Sequence, residues 1–417
     1  MTKKFAQVSS LSLLTIAMAA CSNQTLTPSE GSFKSTLISD VRTVCKEVSQ
    51  NYVYFEERAI HWNDTCERAK KEVSLLERKS GALSVFERMV DDLYDPHISL
   101  NTNNQNSPRL VPSGSDIWFD KIEDNFIVSA VRPLSGAAKA GIEIGDQLVR
   151  FNGLTPDAVA RTRIHSGTAD LAEERIIWAL NAAVAGKRSD PRNIDIRRGD
   201  DVLSFAMGAP EVPQRNEPIS YDVVSEGGGY IRFNNSLSNP ATVSAFNKAL
   251  NDLRQTNGLI IDLRGTPGGG NTSVAEPILG RFISKRTAYQ RTVSPTGTKI
   301  DRIVKPSGPW TYEKPIVVLV GRWTGSMGEG MAIGFDGMGR ASVMGSKMAG
   351  LAGGTEAIKL KETGLELRLP TYDLRHLNDT PRHNWKPSEI SVADNGAQED
   401  ELLRKAIFIL EKNKDDF

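Results

Sequence analysis

An α/β protein in three parts is what this sequence predicts, on three observations. Apolar residues recur at helical spacing over residues 34–95, short apolar runs separated by turns begin near residue 115, and strand-like and helix-like segments alternate from residue 229 onward. The length of 417 residues fits two or three domains at roughly 150 residues each. Lys+Arg and Asp+Glu number 51 each, so the formal net charge is zero. Such a balance, without a basic run, lacks the footprint of a nucleic-acid binder. No stretch reaches about 18 uncharged apolar residues, so no transmembrane helix is expected. Five histidines and three cysteines leave little material for a metal cage, and neither metal nor cofactor is expected.

The first element is not part of the fold. Lys3 and Lys4 precede an apolar run from Leu11 to Ala20, and Cys21 follows. A basic start, a short apolar stretch and small residues before the cut predict a secretory signal peptide over 1–20. The ending Met18-Ala-Ala-Cys21 resembles the lipobox of bacterial lipoproteins, which implies lipidation of Cys21 and a membrane anchor. With Ser22 rather than Asp after the Cys, the resemblance implies an outer-membrane lipoprotein facing the periplasm. Residues 21–33 read as a polar tether. In an oxidising compartment the two remaining thiols, Cys45 and Cys66, are expected to form a disulfide between two helical segments.

The helical part is expected over 34–104. It ends at Leu93-Tyr-Asp-Pro-His97, where Pro96 disfavours helix at Asp95. A polar loop over 101–116 then marks a boundary. Short strands follow at 117–122, 125–131 and 146–153. Between the last two, Gly141 can close a short helix in the left-handed conformation and Gly145 turns the chain into the next strand. The stretch from Ser135-Gly-Ala-Ala to Phe151-Asn-Gly153 resembles a PDZ domain, a module that adds a peptide strand to a sheet edge. Its usual Gly-Leu-Gly-Phe carboxylate loop is absent near Ile117-Trp-Phe119. A helix over 169–186 and a strand over 193–199 complete this unit, placed at 105–212.

The remaining part, 213–417, carries the chemistry. Strands at 229–233, 258–263 and 315–321 alternate with helices over 242–255, over 273–283 and from Ser326 onward. Two strand-to-helix junctions stand out. Leu263-Arg-Gly-Thr-Pro-Gly-Gly-Gly270 lacks the Gly-Lys-Ser/Thr ending of a P-loop, but its glycines can form a nest of N–H groups for an oxyanion. Trp323-Thr-Gly-Ser-Met-Gly-Glu329 puts Ser326 at a helix N-terminus, where free N–H groups favour negative charge. An N-cap is the alternative role for that serine.

Together, LIIDLRGTPGGG and PIVVLVGRWTGSMGEGMAIGF resemble the core of the C-terminal processing, or tail-specific, serine peptidases and their tricorn-like relatives. The resemblance implies a ClpP/crotonase-like α/β core behind a PDZ domain, and Ser326 as nucleophile. In the Ser/Lys branch the base would fall at Leu351, with Lys347 on an accessory position, so a dyad lacks its lysine. The tricorn-like branch takes its base from an Asp-x-His motif after the helical part, and Asp95-Pro-His97 matches it. His97 would therefore be the general base, and the N–H groups of Gly268 and Met327 the oxyanion hole. Asp373, Asp379 and Glu356 are the acids considered for orienting His97. The function implied is a serine endopeptidase acting on exported polypeptides, with the PDZ domain recruiting or gating substrate. The alternative is an inactive peptide-binding lipoprotein of the same fold.

Overall fold

A computed structural model describes residues 30–412, apart from 170, 189, 213–214, 225–226, 235–236, 388 and 391–399. The expected signal peptide and Cys21 lie outside the described residues.

The chain is a mixed α/β protein, and its central layer is a six-stranded sheet. In spatial order the strands are Glu389–Ile390, Ser342–Gly345, Ile316–Val320, Leu259–Asp262, Gly229–Phe233 and Ile219–Val223. The first five run parallel and the last is antiparallel. Ile316–Val320 and Leu259–Asp262 are buried along their whole length, as expected of strands covered on both faces. The two-residue period sends alternate side chains to opposite faces. Leu259, Ile261, Val318 and Val320 pack with the helices Ala241–Asp252, Thr272–Leu279 and Met327–Gly337. Ile260, Val317 and Leu319 face the helix Glu401–Lys412, which brings Leu402, Ala406 and Leu410 at four-residue spacing.

The N-terminal helices Glu30–Asn51, Trp62–Leu75 and Ala82–Asp91 form a second core around Val41, Val48, Trp62, Phe86 and Met89. That core is not closed within residues 34–104: Ala352, Leu360, Leu365, Leu367 and Leu369 complete it. They come from and around the antiparallel pair Gly354–Lys359 and Glu366–Arg375. This pair belongs to a five-stranded sheet with Ser99–Leu100, Thr287–Val293 and Lys299–Val304. The first helix starts at Glu30, so residues 30–33 of the expected tether are helical, and the rest of it lies outside the described residues. The disulfide Cys45–Cys66 joins two of these helices, with Cα atoms 6.0 Å apart.

The β-rich middle part is an antiparallel five-stranded sheet of Ile117–Ile122, Asn125–Val131, Gln147–Phe151, Arg192–Arg198 and Asp201–Met207, in that order. Gly141 caps the short helix Gly136–Ala140 at φ 88°, as its position predicted. Helix Glu173–Ala185 packs against the edge strand Ile117–Ile122.

Candidate active site

Ser326 stands at the turn between the buried strand Ile316–Val320 and helix Met327–Gly337. Its backbone has φ 51° and ψ −110°, a conformation that a non-glycine residue keeps only when its surroundings impose it. Several bonds impose it here. The Ser326 N–H donates to Glu329 Oε2 at 2.7 Å, and Gly325 N–H donates to the Thr266 carbonyl at 2.8 Å. Thr324 Oγ1 donates to the Leu263 carbonyl at 3.0 Å. Gly325 has no room for a side chain, because a Cβ there would sit 2.7 Å from the Pro267 carbonyl oxygen. The two strand-to-helix junctions read from the sequence are thus pressed together, and Ser326 is presented from their contact.

His97 arrives from the N-terminal helical part. Its N–H donates to Asp95 Oδ1 at 2.8 Å. Asp95 is itself buried, accepting from Tyr52 Oη at 2.8 Å with the Arg58 guanidinium 3.6 Å away. The aspartate of Asp95-Pro-His97 therefore sets the turn that aims the ring and does not touch the ring. His97 Nδ1 lies 2.7 Å from the Ala352 carbonyl oxygen and Nε2 lies 3.2 Å from Ser326 Oγ. A carbonyl can only accept, so Nδ1 carries the proton. Nε2 then presents its lone pair to the Ser326 hydroxyl. Desolvation, with the Arg382 guanidinium next in weight, holds His97 down at about 4, so the ring is neutral at neutral pH.

The orienting group is a main-chain carbonyl, which corrects the expectation of an acid. Asp373 accepts from Tyr54 Oη and Arg375. Asp379 is paired with Lys299 and Arg291, and Glu356 is exposed. None of the three bonds to His97. The carbonyl is kept in place by Arg382, whose Nη2 donates to the Leu351 and Gly353 carbonyls at 2.6 and 2.9 Å. From the other side, Glu329 accepts from Gly350 and Leu351 N–H groups as well as from Ser326. One buried carboxylate thus fixes both the serine and the loop carrying the carbonyl. Burial pushes Glu329 up to about 7. The sequence marked Glu329 only by its spacing from Ser326; its role as a clamp was missed.

Gly268 and Met327 are brought beside Ser326. Gly268 has φ +128°, and a Cβ there would stand 3.9 Å from Ser326 Cβ. Met327 opens the helix, where the N–H has no intrahelical acceptor. Leu351, at the position where a dyad would need Lys, is buried, with its Cδ1 3.7 Å from the same Gly268 Cβ position. Lys347 is exposed. A cleft of about 400 Å³ runs between the three parts of the molecule and is lined by Pro96 and Pro267, the neighbours of His97 and Gly268. Among the described residues no cluster of His, Cys, Asp and Glu suits a metal ion.

Residues 227–387 match the model of peptidase family S41. A carboxy-terminal processing protease of Bacillus subtilis, CtpB, is 28% identical over 336 residues, covering 78% of this chain and 62% of that protein. The chain thus spans about three-fifths of that relative's length. Among solved structures, mature CPAF superposes with a TM-score of 0.58 at 15% identity, covering 92% of this chain and 97% of that one. The photosystem II D1 C-terminal processing protease gives 0.55 at 17% identity, over 91% and 97%. At these identities the two structures speak for the shared fold.

Proposed function

We infer that this chain, whose residues 227–387 match the model of peptidase family S41, is a serine endopeptidase cleaving exported polypeptides by acyl transfer. The observation that carries the reading is the 3.2 Å approach of His97 Nε2 to Ser326 Oγ with Nδ1 tied back to Ala352. Ser326 Oγ attacks the scissile carbonyl carbon while its proton passes to Nε2. The carbonyl oxygen becomes an oxyanion, received by the N–H groups of Gly268 and Met327. His97 then returns the proton to the departing amine, the C–N bond breaks, and an ester on Ser326 remains. Water then gives a proton to Nε2 and attacks the ester carbon, the C–Oγ bond breaks as Nε2 returns the proton to Ser326, and the acyl fragment leaves as a carboxylic acid. The substrate is a polypeptide lying in the cleft beside Pro96 and Pro267. A bond length that suits proton transfer favours this enzyme over an inactive scaffold.

In this reading the β-rich part acts as a PDZ-like gate. The Phe119 N–H donates to Asn181 Oδ1 at 2.8 Å, and Asn181 Nδ2 donates to the Phe119 carbonyl at 2.9 Å. Two main-chain groups of the edge strand Ile117–Ile122, of the kind a PDZ-type peptide engages, are thus already taken. Next to them, Trp118 lies under the Arg322 guanidinium at 4.8 Å, four residues before Ser326. A signal peptide over 1–20 and lipidation of Cys21 complete the proposal, with the outer membrane as address. The Cys45–Cys66 bridge supports an oxidising compartment. A fluorophosphonate probe tests the activity: it should label the wild-type chain and not Ser326→Ala, and an unlabelled wild type would overturn the reading. Loss of palmitate incorporation in Cys21→Ala would test the anchor.

A further inference from the structure

A second cavity, of about 380 Å³, shares no lining residue with the cleft described above. Arg322, Lys347, Arg382 and Lys386 line it, and Glu329 is the one carboxylate among its lining residues. The Glu329 oxygens are turned to the N–H groups of Ser326, Gly350 and Leu351, and one carboxylate against four cations leaves the lining with an excess of positive charge. Arg322 has Asp120 only at 4.0 Å and otherwise donates to the Met348 carbonyl. Arg382 is 2% exposed, and its Nη2 serves two carbonyls while its buried Nε has no partner. His383, also on the wall, has a buried Nδ1 without a partner. Lys347 and Lys386 are exposed at this site. A buried N–H on a cation left unpaired costs free energy that a bound acceptor would recover.

We propose that this cavity binds a small oxyanion, a carboxylate or a phosphate group, held by Arg382 and Arg322 in its floor and by Lys347 and Lys386 at its rim. Guanidinium groups suit planar or tetrahedral oxyanions through paired N–H donors, and lysines add charge without geometric demand. Water and chloride match such a donor set less well, because neither offers several acceptor oxygens on one centre. Arg382 makes the site consequential. It holds the Leu351 and Gly353 carbonyls, and these flank Ala352, whose carbonyl orients His97. An anion on Nε would fix the guanidinium plane and, through it, the loop behind His97. Arg382 acts here as a positioning residue.

The site can be read without turnover, so its failure is separable from failure of the peptidase reading. Titration calorimetry of the disulfide-bonded chain, at constant ionic strength with chloride as the balancing salt, would use two probes: inorganic phosphate and N-acetylalanine. The first reports a phosphate ligand and the second a chain-terminal carboxylate. Saturable binding of either is expected, weakened at least tenfold in Lys347→Ala/Lys386→Ala, whose exposed side chains leave the fold intact by circular dichroism. In peptidase assays the bound probe should change kcat and leave KM within twofold. Absence of saturable heat with both probes would overturn the proposal, as would binding unchanged in the double variant. So would purely competitive inhibition, which would make the cavity an arm of the peptide cleft.

Discussion

His97 Nδ1 lies 2.7 Å from the Ala352 carbonyl oxygen, so the ring facing Ser326 is oriented by the main chain and not by a carboxylate. A carbonyl fixes the tautomer but places no full negative charge beside the imidazolium that forms during proton transfer. Burial, and after it the Arg382 guanidinium, outweighs the carbonyl's upward pull and holds His97 down at about 4.

Removing either partner should be decisive. Ser326→Ala is expected to lower kcat by at least about 10³-fold, and His97→Ala by about 10²- to 10⁴-fold. Lys347→Ala should stay within twofold of wild type. Steady-state cleavage of a quenched-fluorescence peptide checks all three; a larger loss with Lys347→Ala than with His97→Ala would reassign the base.

The acid limb of kcat/KM should reflect His97 near pH 4, well below the ordinary imidazole value of 6.5. Activity is lost as pH falls through that value because the protonated ring cannot accept the serine proton. A pH–rate profile measured between pH 3.5 and 8 reads the position of the limb.

Stability should carry the opposite signature from Glu329. Its carboxyl is raised from 4.5 to about 7, so the folded chain holds a proton that the unfolded chain releases. The contribution is present below pH 4.5 and disappears as pH rises through about 7. His97 and His383, both lowered to about 4, add stability that is present above 6.5 and lost as pH falls through 4. Urea unfolding across this range should show that Glu329→Gln removes the decline between pH 4.5 and 7.

Asn181→Ala frees the Phe119 N–H and carbonyl on the edge strand. Peptide carboxyl termini are then expected to bind the β-rich part more tightly, with basal turnover shifted through the Trp118–Arg322 contact. Fluorescence anisotropy with a labelled peptide compares the variant with wild type; equal affinities would show that the asparagine is no barrier.

Loss of the bridge in Cys45→Ala/Cys66→Ala should cost about 2–4 kcal/mol. The N-terminal helices share their core with Leu365, Leu367 and Leu369, close in sequence to Ala352. Thermal unfolding and turnover are therefore expected to fall together, which calorimetry and the peptide assay would register.

Much of the fold was legible in local sequence. The buried strands 259–262 and 316–320 announced themselves as β-branched and leucine runs, and Gly141 announced a left-handed helix end. The antiparallel sheet holding Thr287–Val293 and Glu366–Arg375 was not read, because its strands mix charged and apolar residues without a steady period. The helix Glu401–Lys412 was passed over as well, though Leu402, Ala406 and Leu410 carry its period.

By itself the sequence determined the serine at its strand-to-helix turn, the histidine after the helical part and the glycines between them, because each needs a particular side chain or a missing one. Only the tertiary structure decided what stands behind the histidine. Every residue carries a carbonyl, so Ala352 has no signature until 255 residues of chain bring it to His97. An amphipathic helix likewise declares that one face must be covered, yet not by what. The cover for residues 34–104 came from residues 352–369, since burial depends on where the chain returns in space.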